Sequence, residues 1–398
     1  MNPQATAHSE TAVRGPAAWG GVFALALGAF ALVASEFMPV SLLTQVATDL
    51  HVTEGQAGQA ISVSGAFALV TSLSISSVAG KLDRKVLLLA LTLMMIVSGT
   101  VSAFAPNYAI FMVGRAFIGV AIGGFWSMSA ATAMRLVPVD QVPKALAIVN
   151  GGNALATVVA APLGAFLGAV VGWRGAFFCV VPVAAIALAW KLLSLPAMPP
   201  GRKHRSGNVF TLLKRPPVAL GMAGVSVLFM GQFVLFTYVR PFLETVTHTG
   251  VTMTSLMLLI IGVAGFIGTT LIGGLLKNSL YRTVIVIPLI MAAIAVALIA
   301  FGSAVSVTAV LLGAWGLIAT SAPVGWWTWL ARTLPDDAEA GGGLMVAVVQ
   351  LAIASGAGIG GILFDQHGYQ ATFGTSAAIL VVAAILAVLA ARATRRAK

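Results

Sequence analysis

Long apolar runs alternate with short polar breaks along the whole chain. Twelve runs are predicted as helices, at roughly 19–46, 55–79, 84–104, 108–131, 145–170, 174–194, 217–239, 253–276, 282–302, 305–331, 343–364 and 371–391. Each is near or above the ~20 residues an α-helix needs to cross about 30 Å of hydrocarbon. The runs are rich in Leu, Ala, Val and Gly and lack the dyad alternation of barrel strands. In lipid a segment must pair its own backbone N–H and C=O groups, so helices follow. The pattern predicts an all-α integral membrane protein with twelve transmembrane helices.

Composition agrees. Of 398 residues, 59% are hydrophobic and 8% are charged, against about 25% charged in soluble domains. Residues 1–18 are polar, and the first apolar run is too long for a cleaved leader. They read as an N-terminal tail. The longest polar break, 196–216, separates a six-helix bundle over 19–195 from a second over 217–391, and 392–398 forms a C-terminal tail. The net charge is +11. Of the 22 Lys and Arg, all but Arg174, Arg240 and Arg115 fall on one side of this topology. Such a bias places both termini and the central loop in the cytoplasm. The basic charge is then topological, and no nucleic-acid partner is implied. Cys179 is the single cysteine, so no intramolecular disulfide forms. It reads as a small buried apolar residue.

The two halves look duplicated. "RLVPVD" (135–140) and "RTLPDD" (332–337) share a pattern, as do "GWRGAF" (172–177) and "GYQATF" (368–373), at offsets of 197 and 196 residues. Two pseudo-symmetric six-helix bundles related by an axis along the membrane normal form a transporter plan, with the substrate near the midplane between them. "APLGAFLG" (161–168) holds Pro162, Gly164 and Gly168, and "SGAGIGG" (355–361) is its counterpart. Small residues admit close helix packing, and Pro with Gly permits bending, so this motif reads either as packing or as gating.

Glu36 is the one acid well inside a span. Even an aspartate at mid-membrane costs about 2.5–3.5 kcal/mol on insertion scales, so such a residue usually faces a partner or a wet cavity. Arg115, in span four at similar depth, is its expected charge partner, although an arginine there can instead brace helices through carbonyl contacts. Desolvation and that cation would pull the Glu36 protonation equilibrium in opposite directions. Adding the repeat offset to Glu36 leads to Gln232, so "SEF" in span one matches "GQF" in span seven. Trp126 shares the Arg115 face of span four, three turns on. Asn150, Asn153 and Gln350 are further candidate cavity polar groups. Trp315 also lies deep, whereas Trp19, Trp173, Trp190, Trp327 and Trp329 read as an interfacial belt. No phosphate-binding GxxxxGK[ST] loop, H-E-x-x-H, Gly-x-Ser-x-Gly or Cys/His metal cluster occurs, which argues against an enzyme.

These motifs resemble the major facilitator superfamily over essentially the whole chain. "EFMPVSLLTQVATDL" (36–50) is similar to the first-span signature of its drug:proton antiporter branch. "GRAFIGVAIGG" (114–124) is similar to the superfamily's fourth-span motif, and "APLGAFLG" with "GWRGAF" to the fifth-span antiporter motif. "GKLDRK" (80–85) keeps only part of the loop 2–3 motif, with Asp83 and Arg84 as the remnants of its latch. Within the branch, residues 123–146 and 323–352 look like bacterial purine ribonucleoside efflux pumps. The resemblance implies proton-coupled antiport by alternating access. Glu36 and Arg115 would couple the proton, and Trp126, Asn150, Asn153, Gln232 and Gln350 would contact a purine nucleoside or a related small polar aromatic. It implies no cofactor, with the proton gradient as energy source, and a monomer in the lipid bilayer. Sugar efflux, broad drug efflux and a passive facilitator or channel remain open alternatives.

Overall fold

The computed structural model describes residues 17–79, 82–199, 209–334 and 337–396. The expectations for Glu10, Arg14, Lys81, Arg202, Lys203, Arg205, Asp336 and Lys398 lie outside the described residues. Regular structure among the described residues is helical: α1 (Trp19–Asp49), α2 (Glu54–Ala79), α3 (Arg84–Ala103), α4 (Tyr108–Leu136), α5 (Val142–Ser194), α6 (Pro216–Phe236), α7 (Val239–Thr245), α8 (Val251–Phe301), α9 (Val305–Ala319), α10 (Ala322–Thr333) and α11 (Ala338–Arg396).

Three of these helices are too long to cross once. α5, α8 and α11 have 53, 51 and 59 residues, which would extend about 75–90 Å if straight. Each turns back at one non-helical residue: Gly172 (φ 73°, ψ 165°), Ser279 (φ −137°, ψ 36°) and Gly368 (φ 75°, ψ −174°). The contacts show the return. Before its bend α5 lays Gly152 on the Ala26 backbone and Gly168 on Leu42; after it, Ser194 lies against Gly20. Ten apolar segments are long enough to span, and two of them, Lys144–Ser194 and Ala340–Arg395, contain such a turn and cross twice. The total is twelve crossings. α6 with α7 makes crossing seven, and α9 with α10 makes crossing ten.

The repeat is visible in the coordinates. Gly172 and Gly368, 196 positions apart, adopt nearly the same backbone conformation, one open essentially to glycine alone. At the same offset, Gly164 packs near Met38 of α1 and Gly360 packs on Val234 of α6. Each half builds its own core. One cluster of buried apolar side chains comes from residues 22–198 with Tyr238; the other comes from 212–387 with Val40, Ile61 and Ala165.

The halves touch over part of their height only. On one side of the molecule, α2 runs against α11. The Ser62 hydroxyl donates to Ala354 O (2.8 Å), Gln59 Nε2 to Gly358 O (3.3 Å), and Gly65 lies on Gln350 O. On the other side Gly262 of α8 sits on the Val158 backbone of α5. These contacts span the half nearest Asp365 (the far end). Toward the end carrying Lys85, Arg135 and Lys144 (the basic end) the walls are bare. Gly151, one face-repeat before Val158, has nothing within 4 Å where a Cβ would stand, nor do Gly273 and Gly343. The close approaches between the halves named here all lie toward the far end.

Several expectations need correction. Cys179 is exposed on the outside of the bundle, where lipid lies, rather than buried. Trp329 and Trp173 are buried instead of belonging to an interfacial belt, Trp329 against Gly221 and Trp173 donating to Asp49 (3.1 Å). Lys191, counted above among the solvent-facing cations, is fully buried. Its ammonium donates to Thr92 Oγ1 (2.8 Å), lies 5.2 Å over the Phe125 ring and fills the space that a Cβ at Gly28 would need. A helical side chain points back toward its own N-terminus, so Lys191 is carried inward rather than out to water.

Alanine at Gly172 or Gly368 is expected to cost about 1–3 kcal/mol each. Alanine at Gly151, with open space and helical backbone, should change stability by no more than about 0.5 kcal/mol. Equilibrium unfolding in detergent measures all three.

Candidate functional site

The site is organised by a hydrogen bond that α1 lacks at Pro39. Pro39 has no N–H, so the carbonyl four residues earlier, Ser35 O, loses its helical donor, and the ring strains the adjacent turn. Inside a membrane an unpaired carbonyl is expensive. Arg115 of α4 supplies the missing donors. Its Nη1 donates to Ser35 O (2.9 Å), its Nη2 to Glu36 O (3.1 Å), and its Nε to Ala60 O of α2 (3.3 Å), with Ser64 Oγ at 3.5 Å. Arg115 is 0% exposed. The glycines of "GRAFIGVAIGG" make this approach possible, since Gly119 and Gly123 press against the α2 backbone at Ser64 and Ala68.

This geometry revises the expected ion pair. Glu36 and Arg115 are brought together, but the guanidinium binds backbone carbonyls rather than the Glu36 carboxylate. That carboxylate is 4% exposed and instead meets the second half, where Gln350 Nε2 stands 3.5 Å from Glu36 Oε1. Next to it, Phe37 stacks on Phe233 (centroids 5.7 Å apart, 27°). These two phenylalanines are repeat-equivalent, so they meet where the pseudo-twofold axis passes. Glu36 therefore lies at the contact between the halves.

The other candidates are more scattered. Gln350 is buried, and its Oε1 has no partner. Gln232 is half-buried, and its Oε1 is likewise unpaired. Trp126 is half-buried, edge-on to Phe125 (5.5 Å). It lies eleven residues beyond Arg115, about 16 Å along α4, so the two do not share one contact site. Asn150 is exposed and donates to Leu146 O of its own turn (2.9 Å); Asn153 is half-buried. Both lie in the stretch of α5 between its start and Val158. Trp315 is buried in the second-half core with an unpaired indole N–H. The cavity motif of span five packs on α1, with Gly164 against Ser41 and Gly168 against Leu42 and Gln45, and Pro162 lies within the helix.

The Asp83 carboxylate and the Arg84 backbone bind within the first bundle. Asp83 caps α3 through Lys85 N (2.7 Å) and accepts from Met198 N (2.9 Å), while Arg84 N donates to Met198 O (3.0 Å). They fasten the segment that leaves the first bundle.

Comparison with known proteins adds the following. The Major Facilitator Superfamily profile matches residues 25–357. A Pseudomonas aeruginosa protein named transcription regulatory protein OpdE is 64% identical over 378 residues, 94% of each chain. The purine ribonucleoside efflux pump NepI of Salmonella paratyphi B is 39% identical over 376 residues, 94% of this chain and 95% of the pump. A D-xylose–proton symporter has the same fold at TM-score 0.73 and 17% identity, covering 93% of this chain and 97% of its own. So does a bacterial homologue of the human lysosomal transporter Spinster in an inward-facing, unoccupied conformation, at TM-score 0.74 and 15% identity, covering 95% and 98%.

The bracing role of Arg115 makes a specific prediction. Arg115→Lys keeps the charge but puts its donors on one nitrogen, which cannot span the three carbonyls that Nε, Nη1 and Nη2 reach, and should cost about 1–3 kcal/mol. Pro39→Ala returns an N–H to Ser35 O, so Arg115→Lys should cost less in that background. Melting of the four proteins of the cycle gives the coupling; additive effects would refute the brace.

Proposed function

The chain belongs to the major facilitator superfamily, and on that premise we propose that it is a proton-coupled exporter of purine ribonucleosides or closely related polar aromatics. Members of this family are transporters rather than enzymes. The observation that carries the proposal is the placement of Glu36. The carboxylate is buried at the contact between the halves, with an amide of the opposite half as its partner. Protonation of Glu36 changes what Gln350 meets, from an acceptor anion to a neutral acid that itself donates. A proton bound there acts directly on the contact that alternating access must break and remake. Arg115 holds the α1 backbone at Ser35 and Glu36, and through it the Glu36 side chain, in register.

Substrate identity follows the efflux pumps that match over 94% of the chain. The half-buried Trp126 offers a stacking face. Gln232, with an unpaired carbonyl oxygen, and Asn153 offer hydrogen bonds suited to a base or ribose. The basic end faces the cytoplasm by the positive-inside rule, so a state open at that end presents these groups to cytoplasmic substrate.

A second reading is favoured by the name of the 64% identical relative, which assigns it transcription regulation. A twelve-span protein of this build exerts such control by moving an effector across the membrane or by sensing one. Transport-dead variants separate the two, because a sensor keeps its regulatory output when flux is lost.

Uptake of labelled inosine into inverted vesicles, with and without an imposed pH gradient, tests the proposal. Glu36→Gln keeps the volume and one acceptor but carries no proton. It is expected to abolish uphill uptake while counterflow exchange persists, with unchanged melting as the folding control. Folded Glu36→Gln that still concentrates inosine in response to the gradient would place the proton site elsewhere.

A further inference from the structure

We propose that Asp365 is the clasp of the far gate, a positioning residue that holds the two halves shut by capping a helix of the opposite half. The first N–H groups of any α-helix lack partners within it. α2 begins with Thr53-Glu54-Gly55-Gln56, which closes as a capping box. Gln56 N donates to Thr53 Oγ1 (3.1 Å), and Thr53 N donates to Gln56 Oε1 (3.0 Å). The Gly55 N–H remains. It donates to Asp365 Oδ1 of α11 (2.9 Å), and the Thr53 hydroxyl donates to Asp365 Oδ2 (2.5 Å). One carboxylate thus completes the N-terminus of a first-half helix from the second half. Below it the seam is almost all backbone and small atoms. Gly55 touches Gly361, and Gly58 touches the Tyr238 hydroxyl, which itself donates to Ala357 O (2.8 Å).

The clasp is not inherited from the repeat. At the same 196-residue offset, Ala169 stands where Asp365 would be matched. Thr249, the counterpart of Thr53, keeps its hydroxyl within its own half, on Leu243 O (3.0 Å) and Thr254 Oγ1 (2.8 Å). Among the described residues the α5–α8 side is closed by packing alone, at Gly262 on Val158. When the halves rock apart at the far end, the α2–α11 side alone has charge-assisted hydrogen bonds to break. The proposal rests on alternating access by this fold and on neither the substrate nor the proton assigned above.

The test reads gate opening without transport. Cys179 is replaced by Ala, Ser62 within the seam by Cys, and labelling by a membrane-impermeant maleimide is timed from the far face in right-side-out vesicles. Asp365→Ala should speed labelling about tenfold or more, the loss expected for hydrogen bonds to a charged group. Thr53→Val should give a smaller rise. Gly55→Ala, whose Cβ would meet the Asp365 carboxylate, should wedge the seam and match Asp365→Ala. If Asp365→Ala is unstable, Thr53→Val and Gly55→Ala still decide. Equal labelling rates in the parent and these variants overturn the clasp. So does faster labelling from the basic face alone. A clasp that passes while Glu36→Gln keeps its gradient response leaves the gate intact and removes only the proton assignment.

Discussion

An unpaired carbonyl in hydrocarbon organises the centre of this molecule. Pro39 leaves Ser35 O without its helical donor, and lipid offers no water to replace it. Arg115 answers with a planar fork of donors, and in doing so fixes three helices, α1, α2 and α4, at one level. The desolvation cost of burying a guanidinium is offset by three carbonyl acceptors, one of which, Ser35 O, would otherwise be unpaired. Glu36 inherits its position from that repair. Its own carbonyl is one of the acceptors, while its side chain is left free to face the other half.

The pseudo-twofold then turns a local feature into a functional asymmetry. Phe37 and Phe233 mark the axis by stacking on each other. One step earlier in each half stand Glu36 and Gln232, an ionisable group and its neutral isostere. Duplication supplied the matched scaffold, including Gly172 and Gly368 in the same left-handed bend. Divergence placed acid on different elements: Glu36 in the first half at mid-height, and Asp365 in the second half at the far end. The closed contact between α2 and α11 runs between these two levels, with Gln350 at one end and Asp365 at the other.

Much of this was legible in the sequence because a membrane leaves few options. Run lengths gave the crossings, and the Gly-aromatic-x-x-x-Phe match marked both bends. Glu36 was conspicuous as a lone mid-span acid. For Arg115 charge pairing was preferred over carbonyl bracing, and the carbonyl that Pro39 frees was not identified, although Pro39 and Ser35 are the required four residues apart. Trp329 looked interfacial from its closeness to Arg332. The i, i+3 spacing of Trp326 and Trp329 already put both on one face, with Trp327 (46% exposed) on the other. Lys191 was hidden by its nearness to a span end, where lysines usually reach water. The tie from Asp83 to Met198 joins positions far apart in sequence, and no local pattern encodes it.

The glycine-lined closure between α2 and α11 also bears on kinetics. A gate built from a bulky side chain opens whenever that side chain changes rotamer, on the picosecond-to-nanosecond scale. Here backbone meets backbone at Gly55, Gly65 and Gly361, and no rotamer change clears a path. Passage requires whole helices to separate, a collective motion of microseconds to milliseconds. A membrane under a standing proton-motive force dissipates energy through any faster flicker. A seam closed mainly by backbone confines ion leakage to the frequency of the transport cycle itself.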